Sequence, residues 1–181
     1  MKILRKIALD MVPVLAGVLI ALVINSWKEN QSDKQFLDQV LGAIHKEVES
    51  SKADIKDVLP QHEALSDTIE VYLEDDSLSI LELVQMTNGF SLSVIENAAW
   101  NALLNSNMQL VEYETFARLN AINEYKKSHE IHIHRLADYV MAKAMDTTAD
   151  SKTVLYMHLR NVISSENQIL ELLDKHLEAA P

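Results

Sequence analysis

Three histidines, His129, His132 and His134, form the one cluster in this sequence whose residue type and spacing suit metal binding. On a helix, His129 and His132 lie one turn apart and could share an ion, whereas His134 lies about 200° round the helix from His132. Two imidazoles leave a zinc ion short of its usual four ligands. Residues far away in the sequence would have to complete the shell, namely His45, His62, His158 or His176. We therefore expect solvated or partly buried histidines and no metal site.

Asp10 is a second residue that could do chemistry, because it lies in the most apolar stretch of the chain, Ile7 to Trp27. A carboxylate inside a membrane helix can relay protons or pair with a cation on another helix. If Trp27 marks one boundary of the hydrocarbon, Asp10 lies only about 4 Å inside the other. Its side chain can then extend toward Lys6, one turn back. We expect this interfacial location, with a polar contact inside the membrane as the alternative.

The rest of the sequence offers no arrangement of residues typical of catalysis. It has no cysteine, no glycine-rich phosphate loop and no nucleophile with a recognisable base, and its carboxylates are spread over polar helix faces. We therefore predict that the protein is not an enzyme and that it has no catalytic, cofactor-binding or metal-binding residues. The formal net charge of −11 repels nucleic acids, so these are excluded as partners.

The elements that position these residues begin with the segment Ile7 to Trp27. At about 1.5 Å per residue it spans about 31 Å, which matches a hydrocarbon core of about 30 Å. Signal-peptide cleavage needs small residues at −3 and −1, and the best site, before Trp27, would place Ile24 at −3. The segment is therefore predicted to be an uncleaved transmembrane signal anchor.

The basic residues around this anchor predict its orientation. Lys2, Arg5 and Lys6 precede it, whereas basic and acidic residues alternate after Trp27. The positive-inside rule then makes residues 1–6 a cytoplasmic tail and residues 28–181 an extracytoplasmic domain. In a bacterium this corresponds to the inner membrane with a periplasmic domain.

Small residues within the anchor indicate a contact with another helix. Gly17 and Ala21 form a small-xxx-small pair, which allows close packing in lipid. Asn25 and Trp27 are typical of the membrane interface. We expect a membrane-protein partner or a second copy of the chain to pack on the face of Gly17 and Ala21.

The run from Gly17 to Trp27, led by the acidic Asp10, resembles the anchor of a large uncharacterised family of bacterial single-pass membrane proteins. Its pattern is acidic-x6-G-h-L-I-A-L-x-I-N-x-W. Further similar positions are Trp100, Leu103, Ser106, Leu110, Leu119 and Tyr125. The resemblance implies an anchored helical domain and implies no activity. This sequence departs from the pattern by its short tail and by Pro13.

The composition and periodicity of the remaining chain predict an all-α fold. Glycine and proline occur only three times each, and both are poor helix formers. After the anchor, a stripe of seven residues, six of them apolar, follows spacings of three and four: Leu37, Leu41, Ile44, Val48, Ser51, Ile55 and Val58. This stripe predicts that the membrane helix continues to Leu59, where Pro60 ends it.

Further helices are predicted from caps and stripes. A second helix covers 61–74, and Ser79 with Glu82 forms a capping box for a short helix through Thr87. Ser93 with Glu96 opens another, 94–105, whose broad apolar face centres on Trp100. Two long helices follow at about 112–145 and 153–177, with a polar link at 146–152. Together these predict an antiparallel helical bundle that continues from a single transmembrane helix.

These features predict a non-enzymatic membrane-anchored interaction or accessory subunit. It would present an acidic helical domain outside the inner membrane and dock on a membrane complex or self-associate. The alternative is an ion- or force-coupling single-pass subunit of a proton-driven complex that uses Asp10. The start of the membrane helix in such subunits is similar to Asp10–Pro13, but their key carboxylate follows the proline, where this sequence has Ala16 and Gly17.

Overall fold

The computed structural model describes residues 2–106 and 108–179, with the side chains of 2–10, 12 and 14 outside the described part. The chain is all-α, as predicted, and the described residues contain no strand. Its helices are α1 (Lys2–Val71), α2 (Ile80–Met86), α3 (Ala98–Leu104), α4 (Tyr113–Lys143) and α5 (Ala149–Ala179). A 3-10 turn covers Met108–Leu110.

The chain divides into two compact units, Met1–Gly42 and Ala43–Pro181. The first unit is helical and carries apolar side chains on every face from Leu15 to Trp27. Their exposed fractions lie between 53% and 68%. Among the residues that the structure describes, no helix has an apolar stretch long enough to cross a membrane. The predicted span includes residues 7–10, 12 and 14, and the side chains of these residues, Asp10 among them, lie outside the described part.

Helix α1 does not end before Pro60, which is a correction to the sequence-based expectation. It continues to Val71, so the predicted second helix over 61–74 is not a separate element. Proline removes one helical hydrogen bond, and here it does so on an exposed face, where water can hydrate the freed carbonyl of Lys56. Residues on both sides of Pro60, such as Val58 and Leu65, are buried on one face. This packing offsets the local cost.

The second unit is an antiparallel bundle of residues 43–71 of α1 with α4 and α5. Helices α1 and α5 are antiparallel. Lys52 of α1 pairs with Asp174 near the end of α5, whereas Tyr72, just after the end of α1, contacts Lys152 near the start of α5. Helices α4 and α5 are joined by a short link at 144–148. The core between the helices is aliphatic and includes Leu65, Ile69, Ile80, Leu83, Leu136, Leu155, Leu159 and Val162.

Helix α2 begins at the predicted capping box. The Ser79 amide donates to Glu82 Oε2 at 2.8 Å, and the Glu82 amide donates to Ser79 Oγ at 3.3 Å. The helix ends at Met86, and Asn88 and Gly89 shortly after it have φ angles of 64° and 96°. The Gly89 amide donates to the Val84 carbonyl. Positive φ suits glycine and asparagine, so this local sequence ends the helix as expected.

The second predicted capping box, Ser93 with Glu96, does not form. Residues 90–97 have no helix, and α3 begins only at Ala98. The amides that would have opened a helix donate instead to side chains of α1. The acceptors are Asp54 for Val94, Ser51 for Glu96 and Glu47 for Ala99. Asp54 and Ser51, on neighbouring turns of α1, thus hold the non-helical segment 90–97, which we call the strap, and Glu47 holds the start of α3.

Trp100 is a core residue, as its place on the apolar face predicted. It is 3% exposed, and its ring centroid lies 5.5 Å from that of Phe116. Helix α5 begins four residues earlier than Thr153, the predicted start. Asp146 accepts hydrogen bonds from the amide and the hydroxyl of Thr148 and so stabilises the turn before it.

Candidate functional site

Five polar side chains from four elements meet inside the bundle. His62 comes from α1, Ser93 from the strap, His129 from α4, and Ser165 and Glu166 from α5. All five are buried. Buried polar groups destabilise a fold unless they are hydrogen-bonded, so their mutual contacts decide what the cluster does.

His62 and Glu166 form the first half of this network. His62 Nδ1 lies 3.0 Å from Glu166 Oε2. On its other side, His62 Nε2 lies 2.8 Å from the carbonyl oxygen of Ser91. The second oxygen of Glu166, Oε1, accepts the hydroxyl proton of Ser93 at 2.8 Å. Glu166 thus joins α1, the strap and α5.

His129 forms the second half. Its Nε2 lies 2.8 Å from Ser93 Oγ, and its Nδ1 lies 2.7 Å from Ser165 Oγ. The Ser165 hydroxyl is also 2.8 Å from the carbonyl of Val162, to which it can donate. Ser93 therefore links the two halves, with Glu166 on one side and His129 on the other.

The contacts of His62 determine how many protons the pair with Glu166 holds. A carbonyl oxygen can only accept, so His62 Nε2 must donate to Ser91. The contact between Nδ1 and Glu166 then needs a second proton, carried by either partner. The pair therefore shares one proton between His62 Nδ1 and Glu166 Oε2, and Glu166 Oε1 accepts from Ser93. Both ring nitrogens of His62 and both carboxyl oxygens of Glu166 are hydrogen-bonded.

Burial favours the neutral form of His129. It lowers the pKa of the ring from the ordinary value of 6.5, and the charges of His62 and His132 lower it further against the opposing charges of Glu166 and Glu130. The neutral ring donates from Nε2 to Ser93 Oγ, and Ser93 gives its own proton to Glu166. Ser165 has a single hydroxyl proton, which its contacts with His129 Nδ1 and with the Val162 carbonyl share.

The network contains the residue types of an acyl-transfer triad but not its connections. A nucleophilic serine gives its proton to a histidine, which a carboxylate orients. Here Ser93 donates directly to Glu166, and the histidine on its other side is held by a second serine. Both histidines and the carboxylate are closed off from solvent. The arrangement suits the joining of four elements and gives a substrate no access to Ser93.

A second buried polar contact closes the C-terminal end of α1. Lys152 is fully buried. Its Nζ donates to the carbonyl of Tyr72 at 3.1 Å and to that of Asp75 at 2.6 Å. Both carbonyls lie in the turn that follows α1, and each also accepts a backbone amide, Tyr72 from Asp75 and Asp75 from Leu78. The Lys152 side chain is therefore a second donor to each carbonyl and holds this turn to the start of α5.

The structure separates the three histidines of the predicted cluster. His129 is buried in the network, His132 is half-buried, and His134 is exposed. Within the described part of the chain, no group of three or more His, Cys, Asp or Glu side chains is placed to hold a metal ion.

The predicted membrane-helix residues are described only in part. Gly17, Ala21, Asn25 and Trp27 lie on exposed positions of α1. A Cβ added at Gly17 would meet no atom within 4 Å, so this position is open to a neighbouring helix. The side chain of Asp10 lies outside the described residues, and its predicted contacts stay predictions.

Sequence analysis missed His62, Ser93, Ser165 and Glu166 as a group. A signal for three of them was present. His62 falls on the stripe of Val58, Leu65 and Ile69 at spacings of four and three. Ser165 and Glu166 likewise fall between Val162 and Ile169 on the buried stripe of α5. A polar residue at a core position of a helix must find a partner inside the bundle. No periodicity marks Ser93, which lies outside the helices.

No protein-family model, curated protein or solved structure matches this chain.

Proposed function

We propose that this protein is a non-enzymatic, membrane-anchored interaction or accessory subunit. Residues 7–27 form the anchor, and the acidic bundle docks on a membrane complex or on a second copy. The observation that carries the proposal is the helix surface from Leu15 to Trp27, where apolar side chains are exposed on every face. A helix that is apolar all round needs lipid or protein around it, because water solvates such a surface poorly.

The interior of the second unit supports a binding role rather than a catalytic one. His62, His129 and Glu166 connect the strap with the helices through hydrogen bonds and are closed off from solvent. The fold they stabilise offers a rigid acidic surface. The net charge of −11 favours a partner with a basic or neutral contact surface.

The small-residue face supports close helix packing within the anchor. Gly17 and Ala21 are exposed and one turn apart, and the open space beside Gly17 allows the backbone of another helix to approach. The orientation that we propose has residues 1–6 in the cytoplasm and residues 28–181 in the periplasm. It is supported by Lys2, Arg5 and Lys6 ahead of the apolar segment.

The first experiment tests the anchor. The full chain is expressed in bacteria and the membranes are washed with alkaline carbonate, which removes peripheral proteins. We expect the wild type to stay in the pellet and the double variant Leu19→Arg with Val23→Arg to be extracted, because each arginine at mid-span disfavours insertion by about 2.5–3.5 kcal/mol. Met141→Arg, on an exposed position of α4, is the control. A wild-type chain that carbonate extracts would overturn the anchor.

The second experiment tests docking through the anchor. The measurement is oligomer size in mild detergent and co-purification of partners. We expect Gly17→Leu to reduce association, because leucine pushes the neighbouring helix away. Gly42→Leu is a matched control, since Gly42 is also exposed and open. Normal association of Gly17→Leu, together with an Asp10→Asn variant that assembles but fails to function, would favour the ion-coupling alternative instead.

A further inference from the structure

The strap, residues 90–97, is fastened to α1 by polar contacts. It contains no helix, and two of its amides donate to side chains of α1, Val94 to Asp54 and Glu96 to Ser51. Within the strap only Ile95 is a buried apolar side chain. A segment that buries so little apolar surface can open while the helices around it stay folded. The strap is therefore the part of this region that opens with the least loss of packing.

The seam under the strap is incompletely filled. A cavity of about 20 Å³, room for about one water molecule, lies between the strap, Trp100, α1 and α4. The buried Nε1 of Trp100 has no hydrogen-bond partner among the described residues. Atoms beside a void lack part of their dispersion contacts. The cavity thus weakens the packing that holds the strap closed.

The closed strap covers one edge of the His129 ring. This ring is 1% exposed, and its Nε2 lies 2.8 Å from Ser93 Oγ of the strap. Ser93 donates its own proton to Glu166 Oε1. The charged residue of the strap, Glu96, is exposed and accepts from Ser50 of α1. When the strap opens, Ser93 moves away with it, and His129 Nε2 and Glu166 Oε1 can bind water instead.

The charges that act on His129 come from three helices. His62 of α1 and Glu166 of α5 face the ring, and His132 and Glu130 lie near it on α4. His62 and Glu166 share one proton, so this pair is neutral as a whole. Glu130 is already ion-paired at the surface. A proton added to His129 therefore gives the closed cluster a net positive charge that its buried neighbours do not balance.

Opening of the strap is linked to this proton. Burial is the largest cause that lowers the pKa of His129 from 6.5 in the closed form. In the open form the ring meets water, so its pKa returns toward the ordinary value. Between the two pKa values the open form binds more protons than the closed form, and the free energy of opening decreases as the pH falls. Below both pKa values the effect levels off.

We propose that the strap is released from the bundle by acid. At neutral pH the hydroxyl of Ser93 joins His129 to Glu166 and the strap is closed. When His129 takes up a proton, residues 90–97 detach while α1, α4 and α5 stay packed, because the closed form does not hold the protonated ring. Opening exposes both imidazoles and the carboxyl group of the cluster to solvent. The release needs no partner and does not depend on the anchor.

Hydrogen exchange of the full chain in mild detergent tests the release. The amides of Val94 and Glu96 report on the strap, and that of Val162 reports on α5. Each rate is divided by that of an unstructured peptide at the same pH. We expect the protection of the strap amides to fall by about tenfold for each pH unit just below 6.5. Strap amides whose protection does not change with pH would overturn the proposal.

Low concentrations of urea separate local opening from global unfolding. Urea acts in proportion to the surface that is exposed, so it accelerates exchange through global unfolding far more than exchange through a small opening. We expect the amides of Val94 and Glu96 to be less protected than that of Val162 and to respond little to urea. Equal protection and an equal response to urea at the three amides would show that the strap opens only with the whole bundle.

His129→Gln removes the titrating group and keeps polar atoms beside Ser93. The pH dependence of strap exchange should disappear in this variant and persist in His134→Gln, which changes an exposed histidine. A pH dependence that persists in His129→Gln would contradict the assignment. The wild type gives a readout that needs no variant, because the Cε1–H resonance of His129 should titrate together with the loss of protection at Val94. A ring that becomes protonated while Val94 stays protected would also overturn the proposal.

Discussion

His62 Nδ1 and Glu166 Oε2 lie 3.0 Å apart although they are 104 positions apart in the sequence, and their side chains are 1% and 0% exposed. This contact joins α1 to α5 at the centre of the bundle. Such a pair depends on both members, because removing one leaves a buried polar atom of the other without a hydrogen-bond partner.

We predict that Glu166→Leu destabilises the protein by about 1–3 kcal/mol for each of the two buried groups that it leaves without a partner, His62 Nδ1 and the Ser93 hydroxyl. The urea midpoint of the full chain in mild detergent is the measurement. Glu171→Leu on the same helix is the control, since Glu171 pairs with Lys175 on the surface, and its midpoint should change little. Equal midpoints for both variants would show that the carboxyl group of Glu166 is not needed.

The depressed pKa of His129 predicts a loss of stability in acid. The unfolded chain gains a proton on this residue as the pH falls below 6.5, whereas the buried ring in the native state stays neutral. The unfolded state then binds more protons, so the free energy of unfolding decreases as the pH falls. Unfolding curves between neutral and mildly acidic pH should show this slope, reduced in His129→Gln and unchanged in His134→Gln. If His129→Gln leaves the slope unchanged, the pH dependence of the free energy of unfolding comes from other groups.

Trp100→Ala should destabilise the bundle by about 3–5 kcal/mol, as expected when truncation of a buried large aromatic side chain leaves a cavity. Its contact with Phe116 is lost together with the buried area. Thermal melting of the full chain measures the effect. The comparison is Trp27→Ala, which removes the same side chain from an exposed position. A melting temperature of Trp100→Ala within error of the wild type would show that the core does not depend on this residue.

Lys152→Met should destabilise the protein by about 1.5–3 kcal/mol, the range for hydrogen bonds to charged groups. Methionine keeps the apolar length of the side chain but leaves the carbonyls of Tyr72 and Asp75 without this donor. Lys127→Met removes an exposed lysine whose partner is Glu124 and should have no measurable effect. Hydrogen exchange near Val71 should speed up only in the first variant. Unchanged exchange there would mean that Lys152 does not stabilise the turn that follows α1.

Some of the fold could be predicted from local sequence. The apolar stripes predicted α4 and α5, and the Ser79–Glu82 capping box with Asn88-Gly89 predicted both ends of α2 closely. These signals work because a helix face and a cap depend on residues only three or four positions apart. The apolar segment and its flanking charges likewise come from the sequence alone, and they underlie the proposed anchor.

Tertiary structure decided the rest, for reasons that no local pattern contains. Ser93 and Glu96 have the spacing of a capping box, but α1 supplies Ser51 and Asp54 as acceptors for the amides of the strap, so the helix begins later. A proline such as Pro60 typically ends a helix, but the buried side chains on both sides of it keep α1 continuous. The meeting of His62 with Glu166 depends on the rotation and register of two helices far apart in the chain. Packing of the whole core sets that register, and the sequence by itself showed only that each residue lay on a buried face.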